Sequence, residues 1–431
     1  MNLLILPNQL FDVKYIDKEY EIVLWEHPHY FKDYNYNKKK LLLHRASMKY
    51  YYDYLKKKKR KVKYYEFDEN PKLNEYHIFD PVNDMKLLKL KGKYEILETP
   101  NFLLTNEEYE LHRKKTNKFF FNGFYMWGKG VVDIIPKIKS QDKENRKKMP
   151  KGTKIPGVPS NSSDKKYIDE ALKYVNKNFK NNYGTTDDFM FPISHKTANN
   201  WLKNFIDKKF KSFGDYQDYI NTANDFMFHS LLSTSINIGL INPTEIIDKI
   251  RKIKGIPMNS YEGYIRQLFW REYQRYCYKY FNFDSKNYFG NSKKLNKKWY
   301  EGETGIEPID DCIIKAFETG YLHHIERLMI IGNFMNLSQI SPKEGFKWFM
   351  EFSCDSYEWV MKQNVLDMVF FCSGGKTMRR PYVSSSNYIL KNSNYSKDEW
   401  CDEWDNLYQS FIKRNKTKLQ KYKYYFKGIK N

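Results

Sequence analysis

The hydrophobic pattern of this chain changes in kind along its length, and that change limits the folds it can adopt. Up to about residue 115, short apolar runs favour β-strands at 2–6, 21–25, 61–67, 76–80 and 94–99. Residues 38–55 have the spacing of a helix, and beyond about residue 167 the spacing is helical throughout. The sequence therefore predicts an α/β N-terminal domain with a Rossmann-like parallel sheet, followed by a large all-α domain.

The two predicted domains are joined by a segment of different composition. Residues 137–166 are rich in Lys, Ser, Asn, Pro and Gly and poor in large apolar side chains, as is typical of a connection that crosses the surface. We therefore predict an α/β domain at 1–115, an interdomain connection at 116–166 and a helical domain at 167–431. Within the last, a capping residue followed by proline marks two helix starts, at Asn242-Pro243 and Ser341-Pro342.

The net charge of +22 favours anionic partners such as nucleic acid. Lys, Asn, Tyr and Ile are all frequent, as an A+T-rich genome would produce without selection for charge, so the basicity permits DNA binding without proving it. The five cysteines are scattered and form no CxxC pair, which argues against a disulfide framework or a zinc site. We expect a soluble, intracellular protein of the cytoplasm or nucleus, with no membrane partner.

Two of the nine histidines, His323 and His324, stand together in the apolar stretch 320–334. This stretch has the pattern of a buried helix, in which Arg327 lies one turn from His323. A cation and two titratable rings in such a helix are costly unless an anionic or polar group meets them. A functional site and a pair of hydrogen-bonded core histidines both fit this pattern.

Two other segments carry candidate ligand-binding side chains. Hydroxyls cluster at 230–235 before a predicted helix, which suits a pyrophosphate, although a helix start that caps itself has the same composition. Within 262–273, helical spacing places Gln267, Trp270 and Arg271 on one side, where they could meet a flat ring and a phosphate. The alternative is an amphipathic core helix with a salt-bridged outer edge.

The order of these segments resembles the FAD domain of the photolyase/cryptochrome family, through HSLLS (229–233), EGYIRQLFWREY (262–273), GETG (302–305), GYLHHIER (320–327) and DSYEWV (355–360). A second set is similar to the bacterial branch that carries an iron–sulfur cluster and acts as (6-4) photolyases and related cryptochromes: ILPNQL (5–10), FYMWGKG (124–130), DKENRKKMPKG (142–152), FGDYQD (213–218) and RPYVSSSNYI (380–389). The resemblance implies FAD as cofactor, UV-damaged DNA as partner and an antenna role for the N-terminal domain.

The resemblance also implies roles for individual residues. The positions that match FAD contacts are Ser230, Leu232 and Ser233 for the phosphates, Gln267 and Arg271 for the flavin, Arg327 and Asp355 beside the isoalloxazine ring, and Asn364 near its reactive nitrogen. The remaining positions are His324 as proton donor to the lesion, His323 before it, Tyr382 as a lesion-side tyrosine, and Trp348 as the inner member of an electron-transfer chain.

The histidine pair bears on the lesion type. A (6-4) photoproduct must return a hydroxyl or amino group between bases, which needs a positioned acid as well as an electron, and histidine can supply the proton. The family's cyclobutane enzymes commonly have His-Asn where this chain has His323-His324. We therefore expect (6-4) photoproducts to be favoured over cyclobutane dimers. Basic residues that could contact DNA phosphates are Lys293, Lys294, Lys297, Lys298, Arg379 and Arg380.

The chain departs from the iron–sulfur branch at the cluster ligands. Cys312 falls near the first ligand position, but the middle pair is replaced by 396–399, a plausible helix start. Asp402, and not Cys401, falls at the fourth position. Two thiolates are too few for a stable cluster, so we predict that none is present. Trp400 and Trp404 are expected to fill the space as core residues.

The sequence leaves the antenna chromophore, the oligomeric state and the source open. Lumazine, deazaflavin, folate and an empty antenna site all remain compatible with the sequence, and Met361 stands where some relatives have a glutamate close to the flavin. We expect a monomer, and a viral source is compatible with the composition. The alternatives to a repair enzyme are a cryptochrome-type blue-light receptor and a basic DNA-binding protein that has lost FAD.

Overall fold

Five parallel strands form the sheet that the N-terminal pattern predicts. In this computed structural model, which describes residues 1–83, 85–135 and 140–426, the strands are β1 (Asn2–Ile5), β2 (Glu21–Trp25), β3 (Val62–Tyr65), β4 (Glu75–Phe79) and β5 (Lys93–Leu97). Their order in the sheet is β3-β2-β1-β4-β5, and Leu4 of β1 pairs with Val23 on one side and Ile78 on the other. The predicted fold class, a parallel sheet followed by a helical region, is confirmed.

Helices make up most of the remaining described chain. In order they are α1 (His29–Lys32), α2 (Lys38–Lys57), α3 (Met85–Leu88), α4 (Asn106–Lys115), α5 (Phe121–Val131), α6 (Lys165–Asn178), α7 (His195–Asn204), α8 (Phe210–Tyr216), α9 (Ser233–Asn237), α10 (Pro243–Ile250), α11 (Met258–Tyr280), α12 (Lys298–Glu301), α13 (Glu307–Thr319), α14 (Asn333–Leu337), α15 (Pro342–Phe352), α16 (Glu358–Met361), α17 (Ser386–Asn392), α18 (Glu399–Arg414) and α19 (Lys416–Leu419). No described helix is both long and apolar enough to cross a bilayer.

Short wide-turn segments interrupt this helical pattern at three places, Phe205–Lys209, Glu326–Gly332 and Lys362–Val369. In each, the backbone widens to a π-helix, a conformation that is rare and often found at functional sites. The second segment runs directly into α14 and the third follows α16. Both carry residues that the sequence analysis singled out, Arg327 and Asn364.

Two of the predicted helix starts are confirmed, and the third is confirmed in place but not in its capping residue. Asn242 and Ser341 each accept a hydrogen bond from a backbone amide of the first turn, with proline at the following position. At the third, predicted at 396–399, Asp398 and not Ser396 caps the helix, by accepting a hydrogen bond from the Glu399 amide. Trp400 and Trp404 are buried on this helix, as expected, at 5% and 0% exposure.

The connection between the sheet and the helical region is fixed by buried polar side chains of α11. Glu272 accepts hydrogen bonds from the amides of Leu103 (3.0 Å) and Leu104 (3.2 Å), and from the Tyr109 hydroxyl at 2.8 Å. One turn further on, Arg275 donates to Asp80 at 2.9 Å. The charged side of α11, which one interpretation of the sequence placed at the protein surface, is therefore buried against the N-terminal region.

The predicted boundary at residue 166 stays a prediction, and α6 bears on it. This helix begins at Lys165 and packs against α2 of the sheet domain. Arg45 of α2 forms an ion pair with Glu170 at 2.7 Å and with the fully buried Glu26 at 3.0 Å. A helix predicted to begin the all-α domain thus packs on a helix of the α/β domain.

Buried or cavity-lining histidines outside the stretch 320–334 include His27, His44 and His229, which are neutral at neutral pH. The ring of His27 lies 2.7 Å from the Leu88 carbonyl oxygen, and that of His44 lies 2.9 Å from the Tyr357 hydroxyl. Burial lowers the pKa of His27 to about 4 and the pKa of His44 and of His229 to about 3. Each ring must therefore become exposed to solvent, or the pH must fall well below 6.5, before it takes up a proton.

We expect these histidines to make the protein labile to acid. Because the pKa of each is lower in the folded than in the unfolded state, the unfolded chain binds more protons below about pH 6.5, and stability is lost as pH falls through that range. Each should contribute on the order of 2–3 kcal/mol of lost stability by about pH 4. Urea midpoints between about pH 7 and pH 4 would measure this, and His44→Gln should flatten the dependence. A midpoint that does not change with pH would contradict it.

Candidate functional site

One large cavity opens into the helical region, with a volume of about 890 Å³, within the range of pockets that enclose organic ligands. It brings together nearly all of the predicted site residues, although they lie on segments far apart in sequence. Those that line it are Ser230, Leu232, Ser233, Gln267, Arg271, His323, His324, Arg327, Asp355, Asn364 and Tyr382. Trp348 lies behind this lining.

A continuous chain of hydrogen bonds crosses the wall of the cavity. Arg327 forms a two-pronged ion pair with Asp355, at 3.0 and 3.3 Å, and its Nε donates to the Leu322 carbonyl at 2.6 Å. Asn237 donates to the Asp355 carbonyl at 3.0 Å and accepts from Arg271 Nε at 3.0 Å. Burial alone would raise the pKa of Asp355, but the Arg327 guanidinium outweighs it and holds that pKa below its usual range. Both charges are therefore retained.

Arg271 is the side chain in this wall whose hydrogen-bonding capacity is incompletely used. Its Nη1 donates to the Asn101 carbonyl at 2.6 Å, but its Nη2 is buried without a hydrogen-bond partner among the described residues. Burial lowers the pKa of Arg271 to about 10, so the side chain stays cationic at neutral pH. A buried guanidinium with a spare donor suits an anionic or carbonyl-bearing ligand.

The hydroxyl-rich segment before α9 also faces the cavity. Leu231 lies in the left-handed region at φ 56°, which is costly for a branched residue and is found mostly where a site requires it. This turn places Ser230, Leu232 and Ser233 along the lining. Small hydroxyls and backbone amides at such a turn can bind phosphate oxygens.

The histidine pair corrects the prediction made for 320–334. Residues 321–323 are not helical, and the helix begins at His324. His323 is buried, and its Nδ1 accepts a hydrogen bond from the Ile325 amide at 3.3 Å. Its Nε2 lies 3.7 Å from Glu326 Oε1. His323 therefore caps the start of the helix instead of lying within it. Apolar residues occur both in the extended residues 321–323 and in the helix that follows, so their spacing could not show where the helix starts.

His324 instead presents its ring to the cavity. Its surface is open to the cavity, but protein surrounds the cavity on most sides, and this burial together with the Arg327 charge lowers the pKa of His324 to about 4. The Asp142 carboxylate acts in the opposite direction. The ring is therefore neutral at neutral pH until a ligand brings negative charge close to it.

His229 and Asn237 are site residues that sequence reasoning missed. His229 lies 5.0 Å from His323, ring to ring, and bonds the Gln217 carbonyl at 3.0 Å, so it stacks behind the predicted pair. Asn237 bridges the two arginine sites. His229 is the first residue of HSLLS, and Asn237 is one turn beyond Ser233, so helical spacing was the signal available for the second.

Flat aromatic surface and positive charge meet in another part of the lining. Trp270 stacks on Phe121 with ring centroids 3.5 Å apart and planes 4° apart. The Arg266 guanidinium lies 4.8 Å from the Phe121 ring and 3.5 Å from Asp142. The Arg380 guanidinium carbon lies 5.0 Å from the centroid of the Tyr382 ring. Such surfaces can stack on a base or a flavin.

Trp348 is fully buried and reaches the cavity through its neighbour. Its ring centroid lies 5.3 Å from that of Phe349, which lines the cavity. Trp348 Nε1 donates to the Trp299 carbonyl at 2.8 Å. The indole is thus held in place behind Phe349 and does not itself line the cavity.

The described residues fit FAD and do not fit an iron–sulfur cluster. The free Arg271 donor, the Arg327–Asp355 pair and the serine turn offer the charges and hydroxyls that a dinucleotide of this size needs. All five cysteines are buried as free thiols, and no group of three or more metal-binding side chains occurs in 1–83, 85–135 and 140–426. The prediction that no cluster is present stays a prediction.

The crevice where an antenna would be sought is filled by side chains. In an open parallel sheet, ligands bind where the strand order reverses, here beyond the carboxyl ends of β1 and β4. Asn8 bonds the Pro81 carbonyl at 3.0 Å and Gln9 the Phe79 carbonyl at 2.6 Å across it. A cavity of about 10 Å³ beside Asn8 and Pro81 has room for one water and is too small for a chromophore.

An α/β domain joined to a helical domain with this cavity defines a protein that binds a phosphorylated aromatic cofactor. Family models agree over most of the chain: deoxyribodipyrimidine photo-lyase-related protein matches residues 3–85 and 72–191, and FAD binding domain of DNA photolyase matches residues 264–427. The chain belongs to the photolyase family.

Individual relatives and structures support this assignment. A (6-4) photolyase of Agrobacterium fabrum is 34% identical over 296 residues, covering 65% of this chain and 58% of that protein, less than two thirds of its length. An uncharacterized protein of Acanthamoeba polyphaga mimivirus is 54% identical over 93 residues, covering 21% of this chain and 76% of that protein.

Two solved structures share the fold over nearly the whole chain. A bacterial class III photolyase from Agrobacterium tumefaciens superposes with a TM-score of 0.59 at 16% identity, covering 96% of this chain and 86% of that one. An archaeal photolyase from Sulfolobus tokodaii, solved with two FAD molecules, gives 0.56 at 14% identity, covering 96% and 100%.

Proposed function

We propose that this protein is a light-dependent DNA photolyase that binds FAD and reverses UV-induced pyrimidine dimers, with (6-4) photoproducts favoured over cyclobutane dimers. The observation that carries the proposal is that one cavity holds both the Arg271–Asn237–Asp355–Arg327 chain and the open ring of His324. The Agrobacterium relative named (6-4) photolyase supports the same lesion preference.

The residues of this chain would hold the cofactor through four kinds of contact. Ser230, Leu232 and Ser233 would bind its phosphates, and Gln267 and Arg271 would face the flavin. Arg327 and Asp355 would lie beside the isoalloxazine ring as a fixed charge pair, and Asn364 would lie near its reactive nitrogen. When bound, FAD supplies the electron that light excitation transfers to the lesion.

The substrate enters the same cavity as an extruded dinucleotide. Flipping a lesion from the stack costs a few kcal/mol, least where damage has already weakened pairing. Trp270 and Tyr382 offer flat surfaces to the flipped bases, and His324 donates the proton that the migrating group of a (6-4) photoproduct needs. His323 fixes the start of the helix that carries His324. Trp348 would supply an electron to the flavin when that cofactor must be reduced.

One experiment tests the proposal directly. We expect the purified protein to be yellow, to repair oligonucleotides carrying a (6-4) photoproduct under blue light, and to repair cyclobutane dimers more slowly. Dark incubation and undamaged DNA are the controls. A yellow protein without repair would support a cryptochrome-type receptor, and a colourless one a DNA-binding protein that has lost FAD. Gel filtration of the same sample tests the expected monomer.

A further inference from the structure

One side of the cavity mouth is formed by a segment that follows α19. The chain there makes a 3₁₀ turn, Gln420–Tyr425, and Tyr425 lines the cavity together with Arg380 and Tyr382. The Arg380 guanidinium carbon lies 4.7 Å from the centroid of the Tyr425 ring and 5.0 Å from that of Tyr382. All three side chains are half-buried, so they stand where the cavity meets solvent. Two rings from separate segments therefore contact one guanidinium.

Arg380 has hydrogen-bond donors that the protein does not use. Its side chain makes no hydrogen bond and no ion pair with the described residues. Asp405, a carboxylate of the same lining, accepts from the Ser386 amide at 2.7 Å and is not paired with Arg380. Contact with the faces of aromatic rings leaves the N–H groups of a guanidinium free. Such a group is suited to bidentate binding of a phosphate.

Tyr425 is held at the mouth by buried residues on both sides of it. On one side, Tyr422 is buried, and its hydroxyl donates to the Gly374 carbonyl at 3.1 Å. On the other side, Phe426 is buried. A ring between two anchored neighbours has little freedom left to lose when it contacts a partner. Tyr425 can therefore fix the position of Arg380.

The loop that carries Arg380 is fixed as well. Gly375 has a φ of 99°, where a side chain would be strained, and a Cβ there would lie 2.6 Å from the Tyr422 hydroxyl. At the start of the loop, the fully buried Asp367 accepts from the Ser373 amide at 2.8 Å and from its hydroxyl at 2.6 Å. The two segments that contact Arg380 are therefore both in place before a ligand binds.

The surroundings of Arg380 suit a phosphate of the DNA strand that carries the lesion. Extruding a dimer from the stack brings its flanking phosphates to the entrance of the cavity. Lys391 also lines the cavity, and Lys376 and Arg379 are exposed on the Arg380 loop. Positive charge is thus concentrated on this part of the rim, where it can bind the anionic backbone.

We propose that Arg380 binds a backbone phosphate beside the flipped lesion, and that Tyr425 is the positioning residue that holds its guanidinium for this contact. This inference rests on the proposed DNA repair function and deepens it. It adds to the substrate site a residue that lies far in sequence from the proposed cofactor contacts. Tyr382 supplies the second ring from the Arg380 loop itself.

The test is a double-mutant cycle on binding, in the dark, of a duplex oligonucleotide that carries one (6-4) photoproduct. We expect Arg380→Ala to weaken binding about tenfold, because a charged hydrogen bond to phosphate is lost. Tyr425→Ala should weaken binding about threefold, through loss of the ring contact. The double variant should bind no more weakly than Arg380→Ala, since Tyr425 acts through Arg380.

Two substitutions serve as matched controls. Tyr425→Phe keeps the ring and should bind as the wild type does. Tyr424→Ala removes the neighbouring ring, which is 92% exposed and does not line the cavity, and should also bind as the wild type does. Under blue light, Tyr425→Ala should raise KM for the lesion and leave kcat near the wild-type value. The slope of log K against log salt should be smaller by about one in Arg380→Ala.

The outcomes separate this inference from the proposed function. Additive losses in the double variant, or unchanged affinity in Tyr425→Ala, would overturn the positioning role while repair stands. A wild-type protein that binds the lesion duplex but neither carries flavin nor repairs it would overturn the proposed function and leave the Arg380–Tyr425 contact standing. A protein that does not bind the duplex at all would overturn both. Circular dichroism and the visible spectrum of each variant check that fold and flavin are retained.

Discussion

Replacing His324 by alanine is expected to abolish light-driven repair of (6-4) photoproducts while the protein stays yellow. His324 opens onto the cavity, makes no hydrogen bond that holds the described structure together, and carries the proton donor role proposed here. Loss of general acid catalysis typically costs about 100- to 10,000-fold in rate. Single-turnover repair of a (6-4) oligonucleotide under blue light measures the effect.

Repair of cyclobutane dimers by the same variant is the matched control. Splitting a cyclobutane dimer needs an electron but no proton shuttle, so any cyclobutane activity should survive in His324→Ala and in His324→Asn. Unchanged (6-4) repair in His324→Ala would remove this residue from the mechanism. Equal loss of both activities would instead indicate damage to the cavity.

The rate in the wild type should depend on pH in a defined direction. Burial and the Arg327 charge lower the pKa of His324, Arg266 acts in the same sense, and Asp142 opposes them. Because the donor is the protonated ring, the rate of (6-4) repair should rise as pH falls from about 8 to about 6. The DNA phosphates and the anionic cofactor raise the pKa in the loaded complex, so the rise should occur above the pKa of the empty cavity.

Replacing Arg327 by alanine is expected to have the second large effect, a colourless and destabilised protein. The substitution leaves the Asp355 carboxylate buried without its ion pair, which typically costs about 3–5 kcal/mol. It also removes the cation proposed to lie beside the isoalloxazine ring. Flavin content is read from the visible spectrum, and stability from the urea midpoint.

A double variant separates these two effects. In Arg327→Met with Asp355→Asn, no charge is left buried, so much of the lost stability should return. Flavin should still be absent if the charge pair binds it. A yellow Arg327→Ala protein, or a double variant that regains flavin along with stability, would contradict the cofactor role of the pair.

The fold was predictable because its signals are local. The strands up to residue 97 and the helix α2 follow from alternation and spacing over short windows, and Asn242 and Ser341 are caps that act on their own first turns. The cavity residues were predicted from the order of the motifs. Helical spacing alone left both a ligand-binding and a structural role open for Ser230 and Gln267. Each motif is local, but the order that made the set specific extends from residue 229 to residue 360.

The unpredicted features depend on contacts that are distant in sequence. Glu272 looks like an exposed charge in its helix, but its partners, Leu103 and Leu104, come from about 170 residues earlier. Its burial could not be inferred from spacing. The helix start at His324 was missed for a related reason, since His323 is buried by the ring of His229 and the carboxylate of Glu326.

The buried contacts of Glu272 and Arg275 determine whether the helical domain can be produced as a separate fragment. Both sit on α11, the helix whose other residues line the cavity, and both end on partners in the sheet domain or the segment after it. A fragment beginning after the interdomain connection would keep every proposed cofactor contact but would expose a bare carboxylate and a bare guanidinium on a hydrophobic face. Such a minimal flavin domain should aggregate, so the two halves behave as one folding unit.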